Sequence, residues 1–175
     1  MLPYYIKIDK RLISDNLSTE LTKFALDNTD KFTAHKDARD NFDGNSFFTG
    51  THLQELPEIK AIQKSCSLDF YVMLALHKPN ITVVRHRDDP KYRKTNLIHP
   101  LSPQINYVPT VFWEDRSNKI ACICDFSDKL PAFLNLNKMH GLTNNDSIRV
   151  NLQFSFQESF EIVSSLYKEA KLFNL

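Results

Sequence analysis

The order of patterns along this chain predicts an α+β domain whose core is a β-sandwich or barrel of the jelly-roll type. Three observations carry that reading. Two helical patterns come early; from Leu68 onward the chain breaks into short segments rich in Val, Ile, Phe and Tyr, divided by Pro, Asn, Asp and Ser. Between Ser147 and Phe156 hydrophobicity alternates without a break: Ile148, Val150, Leu152, Phe154 and Phe156 against Arg149, Asn151, Gln153 and Ser155. That period of two belongs to a strand with two different faces. Finally, 175 residues with 42% hydrophobic and 25% charged side chains suit one soluble domain around one core. Its parts are a helical flank (1–67), a β core (68–157) and a C-terminal helix or tail (158–175).

Taken in order, Tyr4 to Asp9 alternates enough for an opening strand. Asp15 or Ser18 is placed to cap a helix running to about Asp27, with Leu17, Leu21, Phe24 and Ala25 on one face. Residues 33 to 50 are polar, hold Gly44 and Gly50, and predict a loop with a short strand at Phe47-Phe48. Leu56 to Cys66 predicts a second helix, with Pro57 in the first turn, where its missing N–H does no harm. Strands are predicted at Leu68–Leu76, Ile81–His86, Asn96–Leu101, Val108–Trp113, Ile120–Phe126 and Ala132–Leu136, ahead of the alternating strand at 147–156. Glu158 to Leu172 predicts a closing amphipathic helix or an irregular tail.

Composition excludes several functions. With 22 basic and 21 acidic side chains the net charge is +1, so no global field draws the chain to nucleic acid or a membrane. The local cluster Arg85, Arg87, Lys91, Arg93 and Lys94 is interleaved with Asp88 and Asp89, a mixed-charge site rather than a phosphate-binding stripe. Three glycines and no GxGxxG or P-loop pattern rule out a glycine-rich phosphate loop. Three cysteines, Cys66, Cys122 and Cys124, make no disulfide framework, and Cys122 and Cys124 read as small residues on one sheet face. The opening Met1-Leu2-Pro3-Tyr4-Tyr5 lacks a signal peptide's basic start, and no stretch approaches the ~20 apolar residues of a membrane span. The expectation is a cytoplasmic protein; the oligomeric state is not written in the sequence.

Chemistry enters with His86-Arg87-Asp88, followed far downstream by His140 and then, nine residues later, by Arg149. His86 and Asp88 are two apart, so in extended chain both leave one face and reach one ion. Two imidazoles and a carboxylate can hold Fe(II) on three adjacent corners of an octahedron, leaving the others for a co-substrate and dioxygen. Asp89 is a competing carboxylate that faces away from His86 in a strand. Arg149 is the residue type that grips the far carboxylate of a bidentate keto acid. Each residue also has a plainer reading: His86 in a charged turn, His140 in a loop beside Gly141, Arg149 on a solvent-facing sheet side.

In this order and at these separations the set resembles the 2-oxoglutarate- and Fe(II)-dependent oxygenase superfamily, over about residues 80 to 156. That resemblance implies a double-stranded β-helix core, cupin-like, with flanking N-terminal helices. It implies that His86, Asp88 and His140 bind iron at the catalytic centre and that Arg149 anchors 2-oxoglutarate. It further implies decarboxylation of 2-oxoglutarate to succinate, coupled to hydroxylation of a substrate, either a small molecule or a protein or peptide side chain. His140 precedes the arginine strand, as the superfamily's second histidine does; Asn135 stands where the superfamily more often has an acidic residue. Arg93 to Leu101 resembles a stretch of the aspartyl/asparaginyl-hydroxylase-like members, some of which lack the carboxylate ligand retained here. There it implies that Asn96 or Arg93 contacts the keto acid or supports the metal ligands. His99, before Pro100 in an apolar run, reads as a strand histidine satisfied by backbone; His35, His52 and His77 read as surface residues. Trp113 and Tyr107 are candidates for a substrate mouth or for packing. Two other classes remain: a β-barrel that binds metal or a partner without catalysis, and a cupin-type enzyme independent of keto acid, which three or four histidine ligands would favour.

Overall fold

The computed structural model describes residues 3–34, 45–48, 50–91, 93–101, 108–115, 117–144 and 146–174. Their strands form two antiparallel sheets facing each other. The larger contains β1 (Tyr5–Lys7), β9 (Ala132–Asn135), β6 (Thr95–Pro100), β11 (Arg149–Phe156), β4 (Tyr71–His77), β3 (Asn45–Phe48) and β2 (Thr33–Ala34), in that spatial order. The smaller contains β5 (Thr82–His86), β10 (His140–Thr143), β7 (Thr110–Trp113) and β8 (Ile120–Cys124). Three strands of the larger sheet come from the first 67 residues, so the opening segment adds strands as well as helices.

Four helices complete the fold: α1 (Asp15–Asp27), α2 (Thr51–Glu55), α3 (Pro57–Ser65) and α4 (Phe160–Lys168). Ser14, not Asp15 or Ser18, caps α1, its Oγ accepting from the Leu17 N–H at 3.1 Å. Such a cap is worth about 1 kcal/mol. Glu58, at the start of α3, takes the Ser14 N–H and O–H on its two carboxylate oxygens, tying the two helices together. Leu17, Leu21 and Ala25 of α1, Ile59 and Ile62 of α3, and Phe160 and Val163 of α4 pack on the outer face of the larger sheet. There they meet Leu74, Leu97, Val150, Leu152, Phe154 and Phe156. No helix among the described residues is long and apolar enough to cross a membrane.

The alternation of β11 has a direct structural meaning. All eight of its residues are buried: Val150, Leu152, Phe154 and Phe156 join the helix-covered core, while Arg149, Asn151 and Gln153 line a cavity between the sheets. The polar side is therefore interior, as a binding barrel needs, and not a solvated face. A smaller apolar cluster of Ile98, Phe112, Phe126, Leu134 and Leu136 fills the rest of the space between the sheets.

Three expectations need correction. His140 lies in no loop: it opens β10, paired on one side with β5 and on the other with β7. His77 is no surface residue but is 4% exposed at the end of β4. The stretch 33–50 holds β2 and a longer β3 than foreseen; residues 35–44 and 49 lie outside the described set, so His35 does too.

Candidate metal centre

β5 and β10 bring two histidines face to face. His140 sits directly opposite His86 in the antiparallel register, with ring centroids 4.5 Å apart. Gly141 makes that pairing possible: a Cβ there would lie 2.5 Å from the Val83 carbonyl oxygen, on β5 itself. Asp88 follows the end of β5, where its own N–H donates to the Leu136 carbonyl at 3.3 Å and so fixes the chain against the larger sheet's side. His86 Nε2 lies 3.0 Å from Asp88 Oδ1, and His140 Nε2 lies 3.9 Å from the same oxygen. One ligand atom from each of the three residues lies within 4.8 Å of the others, the separation a shared ion requires. Asp89 turns away, its Oδ1 accepting from the Lys91 N–H.

Both rings are held in the orientation metal binding needs. His86 Nδ1 is 2.9 Å from the Val84 carbonyl and His140 Nδ1 is 2.8 Å from the Lys138 carbonyl. Since a carbonyl only accepts, each Nδ1 carries a hydrogen, and each Nε2 is aimed at the Asp88 carboxylate. Burial pushes the His140 pKa down to about 4, against the pull of Asp88, so the ring is a neutral ligand at pH 7. For Asp88, burial acts to raise the pKa, but the His86 hydrogen bond and the Arg93 charge outweigh it and hold the carboxyl well below its usual range. Arg93 Nε stands 2.5 Å from Asp88 Oδ2, the oxygen not shared with the histidines. These donors are borderline nitrogen and hard oxygen, the set that suits Fe(II).

All six residues expected at the site, His86, Asp88, Arg93, Asn96, His140 and Arg149, border one cavity. Its interior space is small, about 70 Å³, and it opens to solvent at its mouth. Arg149 is 3% exposed, its guanidinium 5.7 Å from the Phe126 ring, with Nε donating to the Asn151 side-chain oxygen at 3.2 Å. Among the described residues no carboxylate pairs with it. Burial lowers its pKa to about 10, which still leaves it charged at pH 7. A buried cation without a counter-ion, facing a cavity, marks the place where an anionic ligand group fits. Asn96 Nδ2 donates to Gln153 Oε1 at 2.8 Å, and Arg93 Nη1 donates to that same oxygen at 3.4 Å. Asn96 and Arg93 thus form one network with Asp88.

The other sequence candidates fall outside the centre. His99 is fully buried on the opposite face of β6, its Nε2 accepting from the Leu12 N–H and its Nδ1 beside the Pro100 carbonyl. His52 is exposed, against the rings of Phe24 and Phe48. Trp113 is half-buried and is not among the cavity's lining; Tyr107 lies outside the described residues. Cys122 and Cys124 are free, and burial pushes the Cys124 thiol up to about 12, which disfavours the thiolate a zinc site needs. Sequence reasoning missed His77 and Thr110, both in the cavity wall. A period of two carried along β4 from Met73 through Ala75 reaches His77, and that was the available signal.

No family model matches the sequence, and no curated protein matches it. Solved structures do match. The prolyl hydroxylase from Trichoplax adhaerens, in complex with a hypoxia inducible factor oxygen degradation domain peptide fragment, aligns with a TM-score of 0.61 at 13% identity, over 88% of this chain and 84% of that one. A prolyl-4-hydroxylase from Pseudomonas putida aligns at 0.58 with 13% identity, over 87% and 91%. SnoN, a non-heme alpha ketoglutarate dependent epimerase from nogalamycin biosynthesis, aligns at 0.59 with 10% identity, over 86% and 76%. At these identities the likeness is one of fold: the two-sheet core is the double-stranded β-helix of 2-oxoglutarate oxygenases.

Proposed function

We propose that this chain is an Fe(II)- and 2-oxoglutarate-dependent oxygenase. Its reaction consumes 2-oxoglutarate, dioxygen and a substrate C–H group, and yields succinate, CO2 and the corresponding alcohol. One observation carries the reading: a His-Asp-His cluster and an uncompensated buried arginine open into a single cavity. The shared fold supports it independently.

In this reading His86 and His140 offer Nε2, and Asp88 offers Oδ1, to a ferrous ion. That ion, when bound, supplies the activation of dioxygen. Arg93 holds Asp88 Oδ2 and so keeps Oδ1 turned toward the histidines; Asn96, through Gln153, steadies Arg93 beside the keto acid. Arg149 grips the far carboxylate with a two-pronged, charge-assisted hydrogen bond. Val83, Leu134, Leu136 and Leu142 give the cavity apolar walls that keep bulk water from the reacting groups. The substrate is a small molecule or a protein or peptide side chain; matched folds include a protein solved with a peptide and another from the biosynthesis of a small molecule. Three free cysteines agree with a cytoplasmic setting.

The test is succinate formation from 2-oxoglutarate by the purified protein with iron, ascorbate and oxygen. Turnover is expected without added substrate, lost in His86→Ala and suppressed by the unreactive analogue N-oxalylglycine. If iron and 2-oxoglutarate both fail to bind, the chain is a non-catalytic module on an oxygenase fold. SnoN shows by its description that the fold also carries epimerisation, so candidate substrates are screened for inverted as well as hydroxylated products.

A further inference from the structure

His77 ends β4 directly opposite Arg149, the first residue of β11. Directly opposed residues of an antiparallel pair project from the same face, with Cβ atoms roughly 4.5–5.5 Å apart. Both side chains line the cavity, and both are almost wholly buried. Nδ1 of His77 has no hydrogen-bond partner among the described residues. The backbone beneath is firmly held, because Asn144 Nδ2 donates to the carbonyls of His77, Lys78 and Ser147. A fixed, buried imidazole with an unmatched nitrogen therefore stands next to a buried guanidinium that has no carboxylate partner among the described residues. Each is unfavourable alone, since buried polar groups need partners. One anionic group between them would satisfy both.

Building on the oxygenase reading, we propose that His77 is a second donor to the far carboxylate of 2-oxoglutarate, working beside Arg149. Burial, reinforced by the Arg149 charge and only partly offset by the Arg149 backbone carbonyl, keeps the imidazole neutral; with its one N–H on Nδ1, the nitrogen without a partner, it donates to the carboxylate without adding a second buried charge. The arginine fork supplies charge; the imidazole makes the pocket select keto acids that carry a second carboxylate. A site built to hydrogen-bond a group rejects the analogue lacking it, because its own buried donors are then left unpaired.

The test compares two keto acids on the Fe(II)-loaded protein without oxygen: 2-oxoglutarate, and 2-oxobutyrate, which has the same chelating head and no far carboxylate. His77→Phe is expected to weaken 2-oxoglutarate about 10- to 100-fold, the effect of one hydrogen bond to a charged group. Binding of 2-oxobutyrate, iron affinity and the melting temperature of the keto-acid-free protein should hold. His77→Gln, which restores an N–H donor, should recover part of the loss. Unchanged 2-oxoglutarate affinity in His77→Phe overturns the inference, as does an equal loss of both acids, which assigns His77 to structure alone. The two readings fail separately. If Arg149→Met loses 2-oxoglutarate while His77→Phe does not, only the role of His77 falls; if wild type binds no keto acid, the oxygenase reading falls and this one with it.

Discussion

Replacing Arg149 by Met should leave the ligand-free protein as stable as before, or more so, while removing its response to 2-oxoglutarate. The guanidinium is buried; among the described residues it makes a hydrogen bond to Asn151 and faces the Phe126 ring. A cation–π contact contributes about 0.5–2 kcal/mol, whereas burying an ion costs several kcal/mol even after relaxation. Methionine fills similar volume without that penalty. With ligand the balance reverses, because truncating one partner of a buried charge pair costs about 3–5 kcal/mol, or two to four orders of magnitude in Kd. Thermal melts of the metal-loaded protein read both effects. At 100 times the wild-type Kd, 2-oxoglutarate stabilises by about 2.7 kcal/mol, or about 5–10 °C for a chain of this size. The same concentration should shift Arg149→Met by less than about 2 °C. Arg149→Lys should fall between, keeping charge but not the fork. An equal ligand shift in Arg149→Met and wild type refutes the assignment. A large loss of stability without ligand would show that Arg149 serves the fold.

Three further outcomes follow from particular contacts. Gly141→Ala places a Cβ against the Val83 carbonyl and the Arg85 backbone, so β10 must move off β5; calorimetry should show weakened iron binding, and denaturant unfolding a loss of about 1–3 kcal/mol. Arg93→Met removes the partner of Asp88 Oδ2 and should weaken iron binding roughly 10-fold or more; unchanged affinity would mean that the strand alone positions Asp88. His99 is neutral in the folded state down to about pH 3, chiefly because of burial and then of Arg11, whereas its ordinary pKa is 6.5. Below 6.5 the unfolded chain therefore binds a proton that the folded chain refuses, so stability falls as pH drops through this window, by at most about 5 kcal/mol. His99→Gln keeps an acceptor for the Leu12 N–H and should flatten that part of the pH–stability curve; identical curves for the two proteins would count against it.

How much could be read in advance depended on how far each element's own sequence determined it. β11 is long and alternates strictly, so its polar face, and with it Arg149, Asn151 and Gln153, was legible residue by residue. α1 and α3 were legible from apolar spacing and from Pro57. β10 was not: His140-Gly141-Leu142-Thr143 is four residues with one glycine, too short for a period of two to register, and it is a strand because β5 and β7 flank it. β2 has two residues and exists only by pairing with β3. The metal residues were legible because His86 and Asp88 are near neighbours in sequence, and because His140 and Arg149, nine residues apart, open the consecutive strands β10 and β11 at one cavity. Their networks were not. The contact of Asn96 with Gln153 and the placement of His77 opposite Arg149 join residues on different strands, while Arg93 meets Asp88 only because the connection from β5 to β6 folds back on itself.

Anaerobic titration of the purified protein with Fe(II) and then 2-oxoglutarate, followed by visible absorption and calorimetry, tests the central claim most directly. An oxygenase built on His86, Asp88 and His140 should take up one ferrous ion per chain. It should develop a visible charge-transfer band when 2-oxoglutarate is added, and His140→Ala should lose both. Iron uptake with no band and no heat from 2-oxoglutarate, or iron affinity unchanged in His140→Ala, would contradict it.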